Sequence, residues 1–142
     1  EVYAAVQKTI RTVFGEYDKI EYVDETADDT VINDSIRLGY VPEGYYLSEG
    51  KYTPLDVDLT YTNGVDKIRF EYGITDSAIA RIDNENSEHE QFTANGIEYH
   101  YYNSLVAESY NAITWSENGY SFIVFAHFPK EILVKMAENL VG

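Results

Sequence analysis

Apolar residues recur at Val2, Val6, Ile10 and Val13, with Tyr3 and Phe14 beside the stripe and Gly15 after it. That helical spacing predicts an amphipathic helix over Val2–Phe14. From Lys19 to Val23 the pattern changes to alternation, Ile20 and Tyr22 standing between charges, and predicts a short strand. Asp24–Asp29 reads as an acidic loop. Asp28 or Asp29 can cap a short helix carrying Val31, Ile32, Ser35 and Ile36, ended by Gly39. In Tyr40-Val41-Pro42-Glu43-Gly44-Tyr45, Pro42 presets φ for a turn and Gly44 fits its last corner. Tyr45–Tyr52 then reads as a strand.

Three Asn-Gly pairs follow, each between β-rich stretches. Asn-Gly marks a hairpin because both central residues of the favoured turn need positive φ. A two-residue loop at Asn63-Gly64 sets Leu59 opposite Ile68, Val57 opposite Phe70 and Leu55 opposite Tyr72. The other face then pairs Asp58 with Arg69 and Thr60 with Lys67, as a half-buried hairpin requires. The loop at Asn95-Gly96 sets Phe92 opposite Tyr99 and Gln91 opposite His100. The loop at Asn118-Gly119 sets Trp115 opposite Phe122 and Ile113 opposite Val124. Ile123 and Phe125 make that last strand apolar on both faces, which predicts a central position. Ala80–Glu90, polar and acidic, reads as a connector. Pro129 opens a final helix at the position where proline is tolerated, with Ile132, Leu133, Met136, Ala137 and Leu140 as its buried stripe. The sum is an α+β fold: an antiparallel sheet of about six or seven strands built from consecutive hairpins. The N-terminal and C-terminal helices pack on one face, and a tyrosine-rich face stays open.

Length makes this a single domain over 1–142, large enough to bury roughly 68% of the unfolded chain's surface. The charge is strongly acidic: 10 Lys and Arg against 25 Asp and Glu, a net −15. Nucleic acid is therefore excluded as a partner, since phosphate binding needs clustered cations. The absence of cysteine removes disulfides, thiolate metal sites and thiol nucleophiles. No apolar run approaches the ~18 residues of a membrane span, so the fragment itself makes no membrane contact. Tyrosine supplies 14 of the aromatic residues against six Phe and one Trp. An acidic, tyrosine-rich, cysteine-free chain fits an exported domain of Gram-positive-type bacteria. The first residue is Glu1 rather than Met, and the expectation is a fragment trimmed from behind a transmembrane anchor.

Motifs for catalysis are missing. Gly119-Tyr120-Ser121 continues without the second glycine of a nucleophile elbow. Neither phosphate-binding glycine loop occurs. His89, His100 and His127 are scattered; His89 and His100 with Glu98 share one predicted hairpin, but strand histidines more often decorate a sheet than bind metal, so no metal site is assigned. Asp83-Asn84-Glu85-Asn86-Ser87-Glu88 alternates oxygen ligands like the start of a calcium loop, yet Ala94 stands where the twelfth-position acid belongs, and the segment reads as a solvated loop. Asp56 and Asp58 lie on one face of one strand, where charge balance explains them without glycosidase chemistry. Tyr45, Tyr46, Tyr52, Tyr99, Tyr101 and Tyr102 are the candidate ligand platform, since exposed rings stack on sugar or peptide faces.

Two segments carry a resemblance. One is Leu38-Gly39-Tyr40-Val41-Pro42-Glu43-Gly44-Tyr45. The other is Ile113-Thr114-Trp115-Ser116-Glu117-Asn118-Gly119-Tyr120, which continues through Phe122-Ile123-Val124 into the final helix. Together they resemble the domain-of-unknown-function family 4367 of Firmicute-type bacteria, over about residues 30–141. That resemblance implies an extracytoplasmic domain following a single transmembrane helix, in proteins some of which are similar to anti-sigma factors. It brings no catalytic residues and no cofactor. The expected function is a non-enzymatic sensor or interaction domain with a protein partner or cell-envelope ligand. A glycan- or peptide-binding domain using the tyrosine face is the alternative.

Overall fold

A computed structural model describes residues 7–13, 17–24, 32–74, 79–83 and 86–142. The architecture is mostly β. Strands β4 (Tyr46–Tyr52), β5 (Asp56–Thr62), β6 (Lys67–Ile74), β8 (Ser87–Ala94), β9 (Ile97–Ser104), β10 (Asn111–Glu117) and β11 (Tyr120–Ala126) form one antiparallel sheet of seven strands, ordered β4-β5-β6-β11-β10-β9-β8. Strands β1 (Gln7–Val13), β2 (Tyr17–Asp24) and β7 (Ile79–Asp83) form a three-stranded sheet, ordered β1-β2-β7. Strand β3 (Arg37–Leu38) pairs with β12 (Leu140–Val141) beside helix α1 (Lys130–Glu138). No helix among the described residues is long and apolar enough to cross a membrane.

The N-terminal helix expected over Val2–Phe14 is overturned within the described residues: Gln7–Val13 is a strand, with Thr9 opposite Tyr22 and Arg11 opposite Ile20 on β2. Val2, Tyr3, Val6 and Phe14 lie outside the described residues. Thr9, Ile10, Thr12 and Val13 are β-branched, which costs χ1 freedom in a helix and none in a strand, and a cross-strand partner outweighs a marginal isolated helix. Of the two helices expected on one face, the described residues show the C-terminal one, α1. The short helix ending at Gly39 is likewise absent from 32–38, where a turn leads into β3. Gly39 has another reason to be glycine: its N–H donates to the Asn139 carbonyl at 2.6 Å, and a Cβ there would overlap that oxygen. The connector expected over Ala80–Glu90 carries β7 and the start of β8 instead.

Two of the three Asn-Gly turns form as expected. Asn95 and Asn118 sit at φ 53 and their glycines at φ 79 and 82. Their registers place Phe92 opposite Tyr99, Gln91 opposite His100, Trp115 opposite Phe122 and Ile113 opposite Val124. Asn63 differs. Its Oδ1 accepts from the Val65 and Asp66 amides at 2.9 and 2.7 Å, which closes a four-residue loop. The register moves by two, to Leu59 opposite Phe70 and Val57 opposite Tyr72, so every side chain keeps its face but changes its partner. Arg69 still reaches Asp58 diagonally, at 3.5 Å.

Alternation then sorts the sheet into two faces. One carries Val57, Phe70, Tyr99, Trp115, Phe122 and Val124 against Leu133, Met136 and Ala137 of α1, and this is the main core. Strand β11 is the fourth of seven, central as its two apolar faces require. The other face carries His100, Tyr102, Ala112 and Thr114, and meets the three-stranded sheet through Asp18.

Candidate functional site

The strongest concentration of buried ionisable groups lies where the two sheets meet. Alternation along β9 sends Tyr99 and Tyr101 toward α1, and His100 and Tyr102 the opposite way. The β8–β9 register sets His89 opposite Tyr102 and Gln91 opposite His100, so His89 and His100 are diagonal neighbours. His89 Nε2 lies 2.8 Å from His100 Nδ1, and the His89 ring centroid is 4.9 Å from that of Tyr102. Asp18 enters from β2, fully buried. Its Oδ2 accepts from the Tyr102 hydroxyl at 2.6 Å and from Arg11 Nε at 2.7 Å. Gln91 donates to Glu98 Oε1, which stands 3.6 Å from His100 Nε2, and that buried nitrogen makes no hydrogen bond among the described residues.

The electrostatics follow from this packing. Burial first, then the bond to Asp18, pushes the Tyr102 hydroxyl far above the ordinary tyrosine range, so it stays a donor. Burial, Arg11 and the neighbouring ring hold His89 below the usual histidine value. Burial and Arg11 hold His100 low as well, against the opposing pull of Glu98 and Asp18. A histidine pair sharing one hydrogen bond needs one neutral ring; a second proton sets two N–H groups face to face. Among the described residues no set of three or more histidine or carboxylate side chains is grouped to hold a metal ion.

The six candidate tyrosines do not come together. Tyr99, Tyr101 and Tyr102 are 2%, 4% and 1% exposed, the first two in the core beneath α1 and the third in the seam. Burial raises the Tyr99 hydroxyl to about 12. Tyr45 is half-buried and packs edge-on against Phe128. Tyr46 and Tyr52 are exposed, but the Tyr52 ring lies over Gly50 and its hydroxyl accepts from Arg37 at 3.1 Å. The three candidates on β9 are buried because both faces of that strand are covered.

Other candidates resolve into structural roles. Asp56 Oδ1 accepts from Thr53 Oγ1 at 2.7 Å and closes the β4–β5 turn. His127 stacks on Tyr110 with centroids 3.9 Å apart and contacts Asp66 at 2.9 Å. In the acidic segment, Asn84 and Glu85 lie outside the described residues, as do Glu25, Asp28 and Asp29. Arg11 and Asp18 escaped the reading of the sequence, since the segment around Arg11 was assigned to a helix; the strand reading would have set a cation and an acid across one hairpin. The second feature missed is a groove of about 580 Å³ between α1 and the outer strand β8, lined by Phe92, Lys130, Glu131, Val134, Lys135, Glu138 and Asn139.

No curated protein matches the chain. The sequence profile of the domain of unknown function DUF4367 matches residues 35–140, from the turn before β3 to β12, with β1 and β2 outside the matched span. Most of the chain, including the whole seven-stranded sheet and its helix, falls within that match, and the chain belongs to the DUF4367 family.

Proposed function

We propose that the chain is a non-enzymatic extracytoplasmic sensor or interaction domain of a membrane-anchored bacterial protein, acting in anti-sigma-type signalling through a protein partner or cell-envelope ligand. The observation that carries this reading is the seam. The family's sheet meets β1 and β2 through Asp18, Arg11 and Tyr102, with the histidine pair alongside; among the described residues the apolar groups on that side are Tyr102 and Ala112, with Ile123 and Phe125 packed against them, and the buried Ile20 of β2. Directional polar contacts of this kind separate once a partner is displaced or protonated, whereas an apolar core does not. In this reading β1 and β2 lead from the upstream anchor, and the seam transmits a change between sheet and anchor.

Protease treatment of intact cells expressing the full-length protein tests the location. Cleavage of the domain before lysis is expected; protection until lysis overturns it. A transcript comparison between the wild-type strain and one carrying Asp18→Ala tests the signalling role. An altered set of transcripts is expected, and an unchanged profile overturns it.

A further inference from the structure

Strand β4 begins the seven-stranded order, and among the described residues it pairs with β5 on one side only. All seven of its residues are exposed, and Tyr52 stays 49% exposed although its hydroxyl accepts from Arg37. The Thr53 N–H donates to the Asp56 carbonyl at 2.9 Å, which fixes which pairs of the β4–β5 ladder are bonded. Bonded and unbonded pairs alternate, so Lys51 is bonded inward to Asp58. Gly50 and Tyr52, opposite Leu59 and Val57, turn their N–H and C=O groups outward. The ladder slips between Leu47 and Glu49, so the regular part of this edge is Glu49 to Tyr52. Glu49 and Lys51 flank Gly50 there and make no ion pair among the described residues. With Asp58, Thr60, Lys67 and Arg69 they line a surface cleft of about 170 Å³, which gathers three cations beside two carboxylates.

We propose that β4 is a self-association edge, on which two copies of this chain pair antiparallel about a two-fold axis at Gly50 and join their large sheets into one. The inference goes beyond the sensor reading and stands without it. A continued sheet keeps its two faces, so the axis is normal to the sheet and passes through a residue that faces its own counterpart. Centring on Glu49 sets two carboxylates together, and centring on Lys51 sets two ammonium groups together. Centring on Tyr52 brings Pro54, which has no N–H, opposite the outward-turned Gly50. Centring on Gly50 sets Glu49 opposite Lys51 of the second copy, twice, and lets Gly50 exchange two main-chain hydrogen bonds with its counterpart. Lys51 then stands between Asp58 of its own sheet and Glu49 of the second copy. On the opposite face the Tyr52 ring lies over Gly50, its hydroxyl 2.6 Å from where a Cβ would stand. A strand spacing of ~5 Å brings the two glycines, and with them the two Tyr52 rings, side by side. The cations gathered at this edge lower the repulsion that a chain of net charge −15 otherwise meets from its own kind.

Sedimentation equilibrium of the chain between ~1 µM and ~1 mM tests the proposal. A monomer–dimer equilibrium within that range is expected, with hydrogen exchange of the Gly50 amide slowing as concentration rises. Glu49→Lys and Lys51→Glu should each weaken the dimer about tenfold, because each turns two attractive pairs into two repulsive ones. Mixed together, the two variants should recover a heterodimer of near wild-type affinity, since every facing pair is then opposite in charge. Both positions are exposed, and thermal unfolding at low concentration checks that the variants fold. A chain that stays monomeric to ~1 mM overturns the proposal and leaves the edge to another protein's strand. A dimer indifferent to both substitutions overturns it too, as does one whose Gly50 amide exchanges as fast as in the monomer, since either places the contact elsewhere. Failure of the mixed variants to pair overturns the axis at Gly50.

Discussion

The two faces of the large sheet are built from the same strands and solve opposite problems. On the helix face, Trp115 stacks on Phe122 at 5.1 Å and Phe122 on Phe70 at 6.0 Å, with Leu133 and Met136 closing the layer at 0% exposure. That layer is non-directional and holds by buried area, each large side chain contributing about 1.5–3 kcal/mol. On the seam face the buried residues include Asp18, His100, Thr114 and Ser121. Asp18, His100 and Thr114 are held there by hydrogen bonds to Tyr102, His89 and the Phe122 carbonyl, so that contact is specific but conditional. One polypeptide therefore carries an apolar core and a polar seam on the two sides of a single sheet.

The most damaging change belongs to the helix face. Trp115→Ala should cost about 3–5 kcal/mol and lower the urea midpoint of a single cooperative transition. An early, separate transition would instead place Trp115 outside the main cooperative unit. Asp18→Ala comes next, at about 2–3 kcal/mol, because it strands the buried Tyr102 hydroxyl while the partly exposed Arg11 recovers water. Its effect should be local: faster amide exchange in β2, with β10 and β11 unchanged. Equal loss of protection in β10 would show that the seam is no separate joint.

Acidification strains the same face more gently. Both seam histidines are held below the usual histidine value in the fold, so the unfolded chain takes up protons first as pH falls. Stability should be level above the ordinary histidine range and decline as pH drops through it. Glu71, raised first by burial and next by Asp58, acts with the opposite sign, in the carboxylate range, since its protonated form is favoured in the fold. Urea midpoints across this range, for the native chain and for His89→Gln, check the assignment: the slope in the histidine range should flatten in the variant. The smallest effect lies outside both layers. Asn118→Ala puts an L side chain without a stabilising amide at φ 53 and should cost about 1 kcal/mol, read as a shift of the thermal midpoint. A shift matching that of Trp115→Ala would mean the turn, rather than the aromatic layer, holds the β10–β11 hairpin.

Much of the large sheet was legible in the sequence. Alternation and two Asn-Gly turns are local signals, and they set the β8–β9 and β10–β11 registers residue by residue. At Asn63 the same dipeptide misled, because a side-chain acceptor closed a longer loop, and a dipeptide does not say which of two local hydrogen-bond patterns wins. The first strand misled for a different reason. Ile10 and Val13 fit a helical stripe and a β-branched strand equally well, and only pairing with β2 separates the two. Of the candidate tyrosines, Tyr99, Tyr101 and Tyr102 are buried while Tyr46 and Tyr52 are exposed, a division that depends on what covers each face.

The sequence by itself determined the antiparallel hairpins, the final helix, the central two-faced strand and the family. Each rests on residues within a few positions of one another, or on a motif that survives as a string. Tertiary structure alone decided that Asp18 meets Tyr102 across 84 positions and that His100, which the β8–β9 register already sets beside His89, is buried at a seam. It also placed Lys130 of α1 over the Phe92 ring of β8. These contacts depend on how separate sheets and helices dock, and docking is set by shape and burial summed over the whole molecule, which no local pattern encodes.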